Sequence, residues 1–525
     1  VRGRLLLLLA FTGGLVSLGL EIAASRLLAP FFGTSTPIWG ALIGLILLYL
    51  TIGYWAGGRL ADRHPDPAWL YRLTAAAAAL ALVVPPLARP ILLLSRNALA
   101  ALDAGAFVGA LLAVILLFAP AVILLGMVSP WVIRLRLERV ERAGSAAGAV
   151  YALSTAGSIL GAFLPAFWWI PSYGTRATIL GLGATLLLVS AAGLLLERGG
   201  RGAAVAGIAA LPLLAAAVLP PQIRPPAAGV ELYESESEYG YIQVTQVGTQ
   251  RRLILNEGEA IHSVYDPESV LTGGYWDWFT LSPLFAPPDG LGRLQPPRRA
   301  LIVGLAGGTV ARELTAAYPG VQIDGVEIDP RIIDVGRRWF DMTEPNLHPV
   351  AADGRWYLET SSARWDLIVI DAYRQPYIPF QLTTREFFEQ CREHLTPGGV
   401  LAVNVGRAPD GDRRLVDAIT GTLDAAFVDV YQMDVPGQDN TVVFAPQRTI
   451  QPAALRANLG LEPSAYPGTV LPDAVVEART GPPPALVEPH QPIWTDDLAP
   501  VERLVDSIIL DVVKRGASGY TPGGG

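Results

Sequence analysis

The chain has 525 residues, which at ~100–200 residues per domain is too long for one small fold. Hydrophobic residues make up 51% and charged ones 16%, excluding disordered and fibrous classes, and 39 basic against 47 acidic residues give a net charge of −8 that opposes adsorption to nucleic acid. One cysteine, Cys391, permits no internal disulfide or cysteine-based zinc cluster, and five histidines without HExxH spacing offer no common metal site, so no metal is expected.

The composition changes sharply near Pro220. Upstream, apolar runs long enough to cross ~30 Å of hydrocarbon recur between short charged loops, predicting spans at 5–29, 38–57, 69–94, 106–131, 148–170, 176–196 and 203–219. Stretches such as Ala41 to Leu50 have no polar face at a 3.6-residue period, which argues against buried helices of a soluble protein. The first segment is too long for a removed signal peptide and lacks a small-residue cleavage site. Residues 1–220 are therefore expected to form a multi-pass helical bundle in the cell membrane, with the lipid bilayer as partner. Arg2, Arg4, Arg59, Arg63, Arg72, Arg134, Arg136, Arg139, Arg142, Arg198 and Arg201 all fall on one side, which the positive-inside bias makes cytoplasmic. Seven full crossings would then put the rest of the chain outside. The 17-residue, proline-containing segment 203–219 is expected to be re-entrant or interfacial instead, keeping the soluble half cytoplasmic. Glu21 and Arg26, charges in or beside the first span, suit an interhelical clamp or a transport path equally.

A proline-rich linker, 221–229, leads into soluble composition. From Arg299, strand and helix units alternate: a strand at Ala300–Val303, the loop Gly304-Leu305-Ala306-Gly307-Gly308-Thr309, a helix to about Tyr318, and a strand Val321–Val326 ending at Glu327 and Asp329. Further strands are predicted near Val350, and at Asp366–Ile370, Val400–Val405, Phe427–Tyr431 and Thr441–Phe444. This order implies a mostly parallel Rossmann-like α/β sheet whose chemistry sits at the strands' carboxyl ends. There Gly304, Gly307 and Gly308 let a ligand approach the backbone, and Glu327, 23 residues beyond Gly304, can accept two ribose hydroxyls. Asp353 and Gly354 can supply an acceptor for an adenine amino group or form an ordinary turn, and Asp371 can hold a cationic sulfonium or amine or cap a turn. The absence of GxxxxGK[ST] argues against nucleoside triphosphate hydrolysis.

The segments Tyr239-Gly240-Tyr241-Ile242-Gln243-Val244, Leu253-Ile254-Leu255-Asn256-Glu257-Gly258, Leu301-Ile302-Val303-Gly304-Leu305-Ala306-Gly307-Gly308, Val326-Glu327-Ile328-Asp329 and Asp366-Leu367-Ile368-Val369-Ile370-Asp371 resemble spermidine synthases, aminopropyltransferases related to class I methyltransferases. With Gly57-Gly58-Arg59-Leu60-Ala61-Asp62-Arg63 and Thr495-Asp496-Asp497-Leu498-Ala499-Pro500, the whole chain is similar to bacterial membrane-fused spermidine synthase-like proteins. The resemblance implies a small β-rich lobe at 230–290, a class I methyltransferase-like domain at 298–450, and a C-terminal extension at 451–525 whose glycine-rich tail is expected to be disordered. It implies that Glu327 binds the ribose and Asp353 the adenine of decarboxylated S-adenosylmethionine or S-adenosylmethionine. Tyr275 and Asp277 take the place of the family's Tyr-His-Glu segment beside the amine channel, or pack the lobe.

Two departures stand out. The family's aspartate in the glycine loop is Gly307 here, and its second aspartate, three residues after Asp371, is Arg374. A guanidinium cannot act as a base near neutral pH and opposes a diamine, although it can equally be a solvated loop residue. The cleft is thus less acidic and suits a donor or acceptor bringing its own carboxylate. Tyr373, Pro376, Tyr377 and Phe380 make the loop after Asp371 apolar, which would suit a greasy acceptor from the bilayer. Asp371 is expected to be the nearest available general base or orienting acceptor, or to steer charge alone. Expected activities are alkyl transfer of the aminopropyl type to a polyamine, methyl transfer to an apolar or anionic small molecule, or, since Gly-Arg-Leu-Ala-Asp-Arg resembles a transporter loop, transport or sensing with a non-catalytic domain. A homodimer is among the expected assemblies.

Overall fold

The computed structural model describes residues 2–32, 36–100, 105–137, 143–218, 224–256, 260–289, 292–373, 377–460, 484–488, 490 and 492–514. Arg374, Pro376 and the glycine-rich tail lie outside these described residues. The chain forms two compact units, one of Val1–Pro225 with Glu234–Tyr241, the other of Pro226–Tyr233 with Ile242–Gly525.

The first unit is helical: α1 (Arg2–Phe32), α2 (Thr36–Arg63), α3 (Pro67–Ala100), α4 (Gly105–Gly126), α5 (Val128–Arg136), α6 (Ala143–Leu164), α7 (Ile170–Arg198), α8 (Gly200–Ala209) and α9 (Leu211–Val218). Among the described residues, five helical stretches, Gly3–Ala29, Ile38–Arg63, Pro67–Leu92, Leu111–Arg136 and Ala143–Arg198, are long and apolar enough to cross a membrane. The last contains two expected spans, 148–170 and 176–196, in one helical run whose break is at Gly174, with φ +81° and ψ 165°. That break strips Thr175 of its helical partner. The Glu236 carboxylate, from the Glu234–Tyr241 segment of the same unit, accepts from Thr175 N–H and Oγ1, both at 2.6 Å, as an anion at a helix start should. The expected span 203–219 is two short helices, α8 and α9. Glycines let α1 and α6 approach closely, since a β-carbon at Gly14 or Gly161 would strike the Ser154 or Leu15 carbonyl. Asp62 at the end of α2 pairs with Arg134 at 2.9 Å, and Arg26 donates to the Glu238 carbonyl.

Among the described residues the strands form two sheets. Strands β1 (Val230–Glu236), β2 (Tyr241–Val247), β3 (Gln250–Leu255) and β4 (Ile261–Tyr265) lie in sequence order, β2–β3 and β3–β4 antiparallel. The larger sheet contains β5 (Arg299–Val303), β6 (Gln322–Glu327), β7 (Leu347–Ala351), β8 (Trp365–Ile370), β9 (Leu395–Gly406), β10 (Tyr431–Asp434), β11 (Asn440–Pro446) and β12 (Ala485–Leu486) in the order β12-β10-β11-β9-β8-β5-β6-β7. β7, β6, β5, β8 and β9 are parallel, and β11, β10 and β12 add antiparallel. Helices α10 (Thr309–Ala317), α11 (Pro330–Trp339), α12 (Gly354–Thr360), α13 (Arg385–His394) and α14 (Arg414–Asp424) fill the crossovers. The parallel strands read as nearly continuous apolar runs because both faces are covered: Leu301 and Ile302, adjacent in β5, are each fully buried in a different core cluster.

The strand expected at Phe427–Tyr431 begins only at Tyr431. Phe427 N–H still bonds the Leu423 carbonyl at the end of α14, so this apolar stretch fills the core as a helix exit before it pairs. A 3-10 helix, Tyr275–Phe285, closes one end of the core, stacking Phe285 on Phe444 at 4.0 Å between ring centroids. Replacing Phe444 by alanine removes that stack from a fully buried position and is expected to cost about 3–5 kcal/mol, read as a lowered unfolding midpoint of the full chain.

Candidate active site

The sheet reverses its strand order at β5, with β6 on one side and β8 on the other, opening a crevice at the strands' carboxyl ends. The β5–α10 loop turns there. Gly304 has φ +91° and no room for a β-carbon, which would collide with the Asp371 carbonyl. Gly308, also at φ +91°, starts α10. Ala306 between them is held at φ +49°, a conformation alanine rarely adopts.

Ala306 N–H donates to Glu327 Oε2 at 2.9 Å, and Asp329 N–H to Oε1 at 3.2 Å. Glu327 is thus fixed by one donor from the glycine loop and one from its own strand end. Burial pushes its carboxyl up to about 7, and the two N–H groups oppose that shift. Each oxygen keeps lone-pair capacity for a pair of neighbouring hydroxyls. Asp353 caps α12, its Oδ1 accepting from Trp356 N–H at 3.0 Å, while Gly354 leaves the space that a β-carbon would contest with Val303. The turn and the crevice position coexist, because the cap engages Oδ1.

Asp371 ends β8. Its Oδ1 accepts from Asn404 Nδ2 at 3.0 Å, and the Tyr275 hydroxyl lies 3.3 and 3.2 Å from its two oxygens. Burial raises Asp371 to about 6, held back by donation from Asn404, Tyr275 and Trp276. Tyr275 stays a phenol, pushed well above its ordinary range by burial and then by the Asp371 charge. The structure therefore joins Asp371 and Tyr275, and places Asp277 elsewhere. The Asp277 carboxylate accepts from Thr272 N–H at 3.0 Å, Thr272 Oγ1 at 2.8 Å and Gly273 N–H at 3.0 Å, bracing the turn that carries Tyr275.

Sequence reasoning missed Asn404, Ser263 and Glu313. Asn404 sits inside an apolar strand, where a lone buried amide is itself the signal. Glu313 lies on the buried face of α10, 1% exposed, and is driven well above the carboxylate range by burial and the neighbouring Asp277 charge. Ser263 Oγ accepts from Gly307 N–H at 2.8 Å. A β-carbon at Gly307 would stand 2.9 Å from Ser263 Cβ and 3.1 Å from Phe340 Cγ, so the position that holds an aspartate in the resembling family is filled here by its neighbours.

Residues 289–442 match the spermine/spermidine synthase domain. That stretch of the chain is similar to this family, and it lies in the doubly wound α/β sheet described above. It is similar to a probable polyamine aminopropyl transferase of Bifidobacterium longum, 35% identical over 295 residues, 53% of this chain and 64% of the relative. It is also similar to the eEF1A lysine and N-terminal methyltransferase of Mus musculus, 28% identical over 29% of this chain and 23% of the relative. A crystal structure of a probable spermidine synthase from Corynebacterium glutamicum aligns over 52% of this chain and 99% of its own at 22% identity and a TM-score of 0.36. The chain spans under two thirds of the length of both relatives.

Replacing Glu327 by glutamine keeps the shape and removes the charge. It is expected to weaken binding of 5′-methylthioadenosine by roughly tenfold or more, measured by calorimetry on the full chain, since hydrogen bonds to a charged group contribute about 1.5–3 kcal/mol.

Proposed function

We propose that this is a membrane-anchored transferase that moves an alkyl group, of the aminopropyl type, from an S-adenosyl sulfonium donor to an amine or other small acceptor. The observation that carries the proposal is Glu327, a buried carboxylate fixed by Ala306 and Asp329 N–H groups beside a positive-φ glycine turn. The residues fit an adenosyl compound: Glu327 would take the ribose hydroxyls, Asp353 the adenine amino group, and Gly304 and Gly308 the close approach of the nucleoside. The name of the Bifidobacterium relative supports a polyamine acceptor. The five apolar stretches support anchoring in a bilayer.

The donor supplies an electrophilic carbon bound to a cationic sulfur. The acceptor's lone pair forms the new bond to that carbon, and the carbon–sulfur pair leaves with the sulfur, which becomes neutral. Asp371 takes the proton lost by the acceptor, and Tyr275 steadies the carboxylate by donating to it. Burial of both side chains keeps water from the proton-accepting group, and holding the acceptor in line with the sulfonium carbon assists the displacement.

A second transfer, of methyl from S-adenosylmethionine, is favoured by one observation: Ser263 and Phe340 leave no space for a carboxylate at Gly307 that would meet a donor's ammonium tail. The mouse relative's name is in keeping with it. Incubating the purified full chain with each donor and a panel of amines, followed by mass spectrometry, reads a gain of one aminopropyl or one methyl group. Donor binding without either product would overturn the transferase proposal in favour of a sensor or transporter.

Because the reacting form of Asp371 is the carboxylate, transfer is expected to fall as pH drops through about 6. Asp371→Asn should abolish that acid limb and lower the rate by roughly 10²–10⁴-fold, measured as kcat/KM against pH.

A further inference from the structure

The Asp371 carboxylate and the Tyr275 phenol come from different segments, and one short turn touches the supports of both. Asn440 opens β11 directly opposite Gly406 of β9. Its Nδ2 donates to Asn404 Oδ1 at 2.9 Å. With its carbonyl engaged there, the Asn404 amide presents Nδ2 to Asp371 Oδ1. Two residues earlier, Gln438 Oε1 accepts from Tyr275 N–H at 3.1 Å and its Nε2 donates to the Gly273 carbonyl at 2.8 Å. The turn is itself pinned, because Arg407 Nη2 donates to the Gln438 carbonyl at 2.7 Å and Arg407 N–H to the Asp439 carbonyl at 2.6 Å. The Asn404 backbone is fixed from the other side: its carbonyl accepts from the Tyr373 hydroxyl at 3.2 Å, and that hydroxyl accepts from Gly406 N–H at 2.6 Å.

We propose that Gln438 and Asn440 are positioning residues for the transfer reaction, Asn440 orienting the Asp371 carboxylate through Asn404 and Gln438 holding the Tyr275 phenol against it. The proposal rests on the transferase function above. Neither residue is assigned to touch donor or acceptor. Their effect is on the direction of the Asn404 donor and on the reach of the tyrosine. An amide has one donating and one accepting end, so the sense of the Asn440 bond dictates what Asp371 meets.

One variant reverses that sense. Asn440→Asp puts an acceptor opposite Asn404 Oδ1, so the Asn404 amide turns over and aims its oxygen at Asp371. The titratable groups facing Asp371 are Tyr275 and Tyr373, with Glu313 acting on Tyr275 from α10. The tyrosines stay protonated throughout pH 4–8, but the carboxyl introduced by Asn440→Asp titrates there and repels Asp371 by charge, so the uncharged variants Asn440→Ala and Gln438→Ala decide the test.

The readout is the difference in thermal midpoint between full chains carrying Asp371 and Asp371→Asn, followed from pH 4 to 8 in each background. Subtraction cancels the other buried acids. Asp371 is raised from 3.8 to about 6 by burial, so its stabilising contribution is present at low pH, declines as pH rises towards 6, and levels off above. In the Asn440→Asp background the levelling-off is expected about one pH unit higher. Asn440→Ala and Gln438→Ala, which delete donors without adding charge, should move it the same way by less. An unchanged levelling-off pH in both Asn440→Ala and Gln438→Ala overturns the proposal. The measurement needs neither donor nor turnover, so failure of the transferase function, seen as no product with any donor, is a separate result.

Discussion

The bond from Ala306 N–H to Glu327 ties the glycine loop to the neighbouring strand, and the candidate site depends on it. A carboxylate below a tenth exposed costs free energy unless donors meet it. Side-chain donors would occupy the crevice that a ligand must enter. Backbone donors do not, and they become available only because the loop holds Ala306 at positive φ between two glycines at φ +91°. The strain of that turn and the burial of that acid are mutually necessary: relaxing the loop would withdraw the donor, and removing the acid would leave Ala306 N–H with no reason to face β6.

A second acid repeats the arrangement with a different solution. Asp371 N–H bonds the Val303 carbonyl, and Gly304 packs against the Asp371 carbonyl, so the loop is wedged between both strand ends. Here the carboxylate is met by side chains, Asn404 and Tyr275, which can be displaced or can share a proton in a way that a backbone amide cannot. In the proposed reaction the two acids take different tasks: Glu327, gripped by main chain, static recognition, and Asp371, met by a phenol and an amide, acceptance of a proton. Environment separates the roles of two carboxylates on one sheet.

Much of this was legible in the chain. Glycine at Gly304 and Gly308, the apolar strand runs, and acids at the ends of β6 and β8 announce a doubly wound sheet and its crevice, because backbone conformation and burial act through single residue types. The bridging contacts were not. Asn404 meets Asn440 across an antiparallel pair whose register is set by the β10–β11 hairpin, and Ser263 reaches Gly307 from a separate sheet 44 positions away in sequence. Asp277 illustrates the same boundary: its position beside Tyr275 suggested shared chemistry, and only the backbone path of residues 272–275 turns its oxygens towards Thr272 and Gly273.

That displaced acid still bears on the reaction. Asp277 lies against Glu313, two buried carboxyls whose proximity raises Glu313 well above the carboxylate range. Burial and the neighbouring Asp277 charge both disfavour ionisation of Glu313, and the Asp277 carboxyl receives the three donors of its turn. Glu313 also acts unfavourably on ionisation of Tyr275. Burial first, and then the Asp371 charge, keep the phenol in its donating form. Gly307 is closed by Ser263 and Phe340, so the acidic groups acting on Tyr275 come from the end of β8 and from α10 rather than from the glycine loop.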